Sequence, residues 1–538
     1  MSNKPNFLFI ITDQHKFDHL GCYGNSIVKT PNIDSISEQG LTFDQFYVAS
    51  PICMPNRATL MTGRMPAQHR VWLNGIPLSK QNVTFVDLLR KAGYKTGLVG
   101  KCHLQPMMDI ELPESRFWPE KSKRTEENDE VRTVEDIKTA VTEELNSPEY
   151  DQERAGIWRD NPTHEPITPY YGFDYVRFAN FHADMVHGHY RRWLEERHPN
   201  SEKLQGPQNA LKNHSYSVKK GWRTQMPEEL YPTTYITEET ISFLNNHVSK
   251  QDEEPFFLQV SFPDPHAPLT PPGRYWDLYN PDEVELPDSF EHVDTVEPLF
   301  VQKIRESHGS PKKVPAPITP DEKEAREMIA LTYGSISMID DAIGKILAAL
   351  DELSLTENTI VIFTADHGDM GGDHGLFGKF GIHYEAVLKV PFIWKDPEKK
   401  QTGRVDQLGG TIDIGSSILA RADVANVYGT QGFDIVSLSQ AKQMPSRNGI
   451  FIEEDQLSEQ VNGLGSQRIW TYIFESWRLS IWLGDEVGHL FDRSNDPQEM
   501  NNLWQNPDYA AKKAELTEMM LRERMRLADT LPLTSRFA

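Results

Sequence analysis

Thr359-Ile360-Val361-Ile362-Phe363-Thr364-Ala365-Asp366-His367-Gly368 decides how the chain is read. Its first six residues form an unbroken apolar and β-branched run, the pattern of a strand covered on both faces. The run ends in an acidic residue and a histidine. Before it lies a long helical pattern with Ile336, Ile339, Ile343, Ile346, Leu347 and Leu350 on one face. Three other apolar stretches end in metal-ligand or acid–base residue types, two of them after a helical stretch. Phe7 to Ile11 ends in Thr12-Asp13-Gln14-His15. Tyr94 to Val99 follows a helix-like segment, Thr84 to Ala92, closed by Gly93, and ends in Gly100-Lys101-Cys102-His103. Phe256 to Phe262 ends in Pro263-Asp264-Pro265-His266-Ala267-Pro268, after a helix expected over Thr237 to Lys250 with Thr237 as its cap. Alternating helices and apolar strands predict an α/β fold with a large, mostly parallel sheet flanked by helices. Ligands bind such sheets beyond the carboxyl ends of the strands. Asp13, Lys101, His103, His266, Asp366 and His367 are therefore expected in one crevice.

The 538 residues suffice for a large core and two domains. The 55 Lys and Arg against 79 Asp and Glu leave a net charge of −24, which opposes non-specific binding to nucleic acid or an anionic membrane. Three cysteines do not make a disulfide framework. Met1 to Asn6 lacks the features of a signal peptide, and no apolar run is long enough for a bilayer, so a cytoplasmic protein is expected. Residues 105 to 235 read as an insert in a catalytic domain of residues 1 to 440. Glu111 to Asp129 within it has loop composition. Phe173 to Trp193 carries aromatics with His182, His187 and His189, equally consistent with a specificity lid and with plain packing. Beyond residue 440 the pattern alternates, through Ile450 to Ile452, Arg468 to Phe474, Trp477 to Trp482 and Glu486 to Asp492. A helix follows from about Tyr509 to Leu527. This predicts a smaller α+β subdomain, 441 to 538, with an antiparallel sheet. The tail, Thr530 to Ala538, is placed to reach a second copy in a homo-oligomer or to fray.

A second stretch carries the chemistry: Pro51-Ile52-Cys53-Met54-Pro55-Asn56-Arg57-Ala58-Thr59-Leu60-Met61-Thr62-Gly63-Arg64. Pro55 suits the first turn of a helix and Gly63 its close. Cys53 then stands at or just before the helix N-terminus, where free N–H groups favour an anion, with Arg57 one turn along. Cys53-x-Pro55-x-Arg57 followed by Leu60-Met61-Thr62-Gly63-Arg64 resembles the signature of the type I, formylglycine-dependent sulfatases of the alkaline phosphatase superfamily. The resemblance implies an alkaline-phosphatase-like fold. It also implies oxidation of Cys53 to formylglycine by a formylglycine-generating enzyme, with the hydrated aldehyde as nucleophile.

The resemblance further implies one divalent cation held by Asp13, Gln14, Asp366, His367 and the oxygen at position 53. Many sulfatases carry Asp where Gln14 stands and Asn where His367 stands. Calcium is the ion the family favours, and this donor set leaves magnesium and manganese open. A thiolate suits such hard ligands poorly, which agrees with an oxygen nucleophile. Asp366 to Lys379 resembles the family's second motif, and Pro265-His266-Ala267-Pro268 also matches. One hydrate oxygen would attack the sulfur of a sulfate ester. Arg57 and the cation would support the anionic hydrate, and Lys101 and Lys379 the sulfate oxygens. His266 or Lys379 would protonate the leaving alcohol, and His103 would serve as base for release of sulfate. Asn74 falls where related hydrolases contact substrate, and Asn-Gly is also an everyday turn.

The expected activity is hydrolysis of small anionic sulfate monoesters, aryl, alkyl or sugar. An alternative from the same superfamily is a phosphonate monoester or phosphodiester hydrolase, a branch that lacks the Lys-x-His of Lys101 and His103. A third reading, from another class, is a non-catalytic metal-dependent binder of anions or sugars.

Overall fold

The computed structural model describes residues 4–110, 145, 147–212, 216–218, 220–250, 254–306, 318–439, 449–456 and 467–533. The expected loop at Glu111 to Asp129, the boundary near residue 440 and the last five residues of the tail lie outside the described residues. In chain order the strands are β1 (Asn6–Asp13), β2 (Leu41–Phe43), β3 (Phe46–Tyr47), β4 (Lys95–Gly100), β5 (Tyr175–Asn180), β6 (His187–Gly188), β7 (Phe256–Pro265) and β8 (Thr359–Ala365). They continue with β9 (Phe392–Lys395), β10 (Gly403–Val405), β11 (Gly409–Gly410), β12 (Ile450–Gln456), β13 (Gln467–Phe474), β14 (Trp477–Trp482) and β15 (His489–Asp492).

Nine strands form one sheet in the order β10-β2-β9-β8-β1-β7-β4-β5-β6. Its centre, β8-β1-β7-β4, consists of the four apolar runs read from the sequence, and all three pairings are parallel. Continuous apolar composition is what a strand with helices on both faces requires. β1, β7 and β8 are buried at every residue. Two of the large apolar clusters flank the sheet. One holds Phe7, Phe9 and Ile11 of β1, the other Leu8 and Ile10, as the two-residue period of a strand dictates. Only β9 and β6 run antiparallel to their neighbours.

The register places the chemistry. Thr12 of β1 pairs with Ala365 of β8, so the next residues, Asp13 and Asp366, stand side by side. Gly100 of β4 pairs with Ser261 of β7 and turns with φ 106. A Cβ there would lie 1.9 Å from the Ser261 carbonyl oxygen, so only glycine lets β4 end this close to β7 and release Lys101.

Phe85–Lys91 is a helix with a Thr84–Asp87 capping box. The helix before β8 spans Glu322–Glu352 and is capped by Asp321. The helix expected from Thr237 instead spans Pro232–Ser249. Pro232 supplies its first turn, and Thr237 is no cap: its hydroxyl donates to the Thr233 carbonyl from inside the helix. Near the C-terminus β12-β13-β14-β15 form an antiparallel sheet, and the Ala510–Arg526 helix packs on it through Leu516 and Met520.

Candidate active site

Cys53–Thr62 is a helix, and all ten residues are buried. Gly63 ends it at φ 63 with its N–H on the Thr59 carbonyl, the left-handed stop the sequence predicts. Cys53 is its first residue. Ile52, the cap, offers no side-chain acceptor, and Asn74 fills that role from outside, its Oδ1 accepting the Met54 N–H at 3.0 Å. Asn74, expected at the substrate, thus helps fix the turn that presents Cys53.

The Cys53 sulfur sits between a lysine and a histidine. It receives a hydrogen bond from Lys379 Nζ at 2.9 Å and lies 3.2 Å from His367 Nε2. Burial pushes the thiol up. Lys379 and His367, with hydrogen bonds from His103 and His266, more than reverse this and hold it well below its ordinary range. The site therefore stabilises negative charge at position 53.

Arg57 lies one turn further in and is 2% exposed. It donates to Asp366 Oδ2 at 2.8 Å, Asp13 Oδ2 at 3.4 Å, the carbonyls of Lys101 and Cys102 at 3.1 and 3.4 Å, and Ser261 Oγ at 3.0 Å. One guanidinium thus ties the helix to the ends of β1, β4, β7 and β8. Lys101, fully buried, ion-pairs with Asp13. Burial raises the Asp13 carboxyl, and Lys101, followed by His266 and Arg57, outweighs it and holds the group well below the carboxylate range.

Asp13, Cys53, Asp366 and His367 offer ligand atoms within 4.8 Å of one another, all on buried residues. Asp13 Oδ1 is buried with no hydrogen-bond partner among the described residues, the condition of an oxygen that fits a cation. Two carboxylates and an imidazole fit a hard divalent ion, with an oxygen at position 53 fitting better than sulfur. Gln14, at φ 57, gives its main-chain N–H to Asp366 Oδ1 at 3.0 Å, while its side-chain amide donates to Asp369.

His103, 6% exposed, is brought down to about 4 by burial and Lys101 and faces Cys53. His266 lies on the same side, lowered by burial and Lys379. The structure thus gathers Cys53, Arg57, Lys101, His103, His266, Lys379, Asp13, Asp366 and His367 around one point.

Several further residues there belong to no motif. Asn56, inside the Cys53 stretch, donates its amide to the Asp366 carbonyl and accepts from Ala49 N and Thr411 Oγ1. Lys16 pairs with Asp18 and, at 2.9 Å, with Asp373, tying the loop after β1 to the loop that carries Lys379. His182 reaches the site, its ring stacked on His266 at 3.6 Å between centroids and its Nε2 3.4 Å from Lys101 Nζ. Its companions do not. His189 bonds Glu165 at 2.9 Å, and among the described residues no metal-ligand group joins His182, His187 and His189.

The sulfatase family signature matches residues 5–114 and 150–424, and that of the C-terminal region of N-sulphoglucosamine sulphohydrolase matches 372–526. An arylsulfatase of Clostridium perfringens is 27% identical over 97% of this chain and 94% of its own. A multifunctional alkaline phosphatase superfamily protein of Trinickia caryophylli is 25% identical over 98% and 96%. In fold the chain is similar to the phosphonate monoester hydrolase of Agrobacterium radiobacter, with a TM-score of 0.74, 23% identity and 99% and 98% coverage. With Cys53, two carboxylates and two lysines at one point, and a signature spanning most of the described residues, the chain belongs to the sulfatase family.

Proposed function

We propose that this protein hydrolyses sulfate monoesters, with position 53 as nucleophile after oxidation of its cysteine to formylglycine. The observation that carries the reading is the setting of Cys53. It opens a helix, meets Lys379 at 2.9 Å, and shares a ligand cluster with Asp13, Asp366 and His367. Asp13, Asp366 and His367 would hold a divalent cation, whose charge favours an anionic oxygen at position 53 and a bound sulfate oxygen. Once oxidised, position 53 supplies a hydrated aldehyde, one oxygen of which attacks sulfur while the other later expels sulfate.

The remaining roles belong to side chains already in place. Lys101 and Lys379 face the sulfate oxygens and offset their charge. His266, whose protonated form Asp13 and the anion at position 53 favour against burial and Lys379, gives its proton to the leaving oxygen as the S–O bond breaks. His103, held neutral by burial and Lys101, accepts the proton of the second hydroxyl as sulfate departs and the aldehyde returns. Arg57 keeps both carboxylates in position. The insert, which supplies His182, shapes the wall that meets the alcohol.

Phosphonate monoesters are the rival substrates, since the alkaline-phosphatase-like fold is shared with a phosphonate monoester hydrolase. Lys101 and His103 at the end of β4 favour sulfate. The test is kcat/KM for 4-nitrophenyl sulfate beside 4-nitrophenyl phenylphosphonate on one preparation. The reading expects preference for the sulfate. A large preference for the phosphonate reverses it, and no turnover of either by protein with position 53 oxidised leaves an anion binder.

A further inference from the structure

His182 belongs to no motif, yet the chain spends much on placing it. Its neighbours Phe181 (φ 88) and Ala183 (φ 56) both occupy the left-handed region, which residues with a Cβ rarely enter. Such backbone persists where its surroundings over-determine it, and clusters at functional sites. Here the surroundings are visible on both sides. Asn180, fully buried, accepts the Cys102 N–H at 3.1 Å, in the loop that bears Lys101 and His103. Asp184, also fully buried, accepts from Trp222 Nε1 at 2.9 Å, Thr224 Oγ1 at 2.6 Å and Gly206 N at 3.2 Å. Between these anchors Ala183 is packed away and His182 is pushed toward the active centre.

There the ring lies nearly parallel to His266, 16° between planes and 3.6 Å between centroids. His266 is only partly buried, and its Nδ1 is engaged with the carbonyl of its own neighbour, Ala267. That local contact and the hydrogen bond to Cys53 hold the edge of the ring. The stacked imidazole bounds its face, taking the space into which it would swing. A proton donor gains its rate from being held at the leaving oxygen, and small misplacement forfeits much of it.

We propose that His182 is a positioning residue, the platform on which the His266 ring is held for proton delivery to the leaving group. The proposal rests on the reading of His266 as the acid. It makes the insert part of the catalytic apparatus as well as a wall. The contact with Lys101 Nζ offers a different role, a hydrogen-bond acceptor, and two substitutions separate them. His182→Phe keeps a stacking ring and loses the nitrogen. His182→Asn keeps a polar atom and loses the ring.

The experiment is a series of aryl sulfates from 4-nitrophenyl sulfate, with its acidic phenol, to phenyl sulfate. It uses the His182→Ala, His182→Phe, His182→Asn and His266→Ala variants and the His182→Ala/His266→Ala double variant, each checked by circular dichroism. His182→Ala should lower kcat for phenyl sulfate about tenfold, what the loss of one aromatic pair converts to, and spare 4-nitrophenyl sulfate. His182→Phe should restore most of the loss, and His182→Asn should behave as His182→Ala. In the His266→Ala background the second substitution should add little. Rescue by Asn but not Phe, equal loss along the series, or fully additive effects in the double variant would each overturn the platform role. If His266→Ala itself loses equally along the series, the acid assignment fails first and takes this inference with it.

Discussion

Replacing Arg57 by Met keeps the volume of the side chain and removes its five hydrogen bonds. Asp13 keeps Lys101 as a cationic partner, but Asp366 is left with the Gln14 N–H and His367. Breaking a buried ion pair by removing one partner costs about 3–5 kcal/mol. With Asp13 still paired, we expect a loss of about 3 kcal/mol for Arg57→Met, from the lower end of that range. The measurement is urea unfolding followed by tryptophan fluorescence in the presence of a chelator, so that bound cation does not mask the loss. Turnover should fall by about 10²–10³-fold, as when one aligned donor is removed from a charge-stabilising site. Cys53→Ala is the matched control: it abolishes turnover and leaves the fold intact, because the role of that residue is chemical. Parent-like stability in Arg57→Met would refute the view that this guanidinium holds four strand ends together.

His266→Ala should slow poor leaving groups more than good ones, because an acidic phenol needs less protonation, and a leaving-group series with aryl sulfates measures it. Adding a divalent cation to chelated protein at about 100 times its dissociation constant should raise stability by about 2.7 kcal/mol, and Asp366→Asn should remove most of that gain in a thermal-shift titration. His69, bonded to Thr59 beneath the Cys53 helix, is brought down to about 3 by burial and Arg64. The unfolded chain therefore takes up a proton near pH 6.5 that the folded chain refuses, and stability falls as pH drops from 6.5 toward 3. At pH 5 this one site costs about 2 kcal/mol relative to pH 7, so His69→Gln should flatten the fall by that amount in urea melts at the two pH values.

Much of this arrangement is legible in the sequence for reasons the structure makes plain. The four central strands announce themselves because a strand covered on both faces has little room for charged residues before its end. Their ends announce the site because Asp13 and Asp366 follow the last paired residues, Thr12 and Ala365, of neighbouring strands. The Cys53 helix shows itself through Pro55 and Gly63. The order of the strands has no local signal, since it depends on which helices cross which face. The Pro232 start of one helix is hidden behind Thr237, a better cap by residue type but placed inside. His182 is named in the sequence only within a segment equally consistent with a lid and with packing, and nothing there singles it out. Its delivery depends on left-handed backbone at Phe181 and Ala183, residues with no preference for that conformation, held by anchors distant in sequence such as Trp222 and Cys102. Asn56 carries no local signal because its partner, the Asp366 carbonyl, is 310 residues away.

The central claim is that an oxygen made from Cys53 is the nucleophile. It is tested most directly by mass spectrometry of the peptide bearing position 53, across preparations that differ in the extent of oxidation, beside the specific activity of each. The account predicts that activity rises in proportion to the fraction in which CH₂SH has become CHO, and vanishes with it. Full activity in protein whose Cys53 is an unmodified thiol would contradict it.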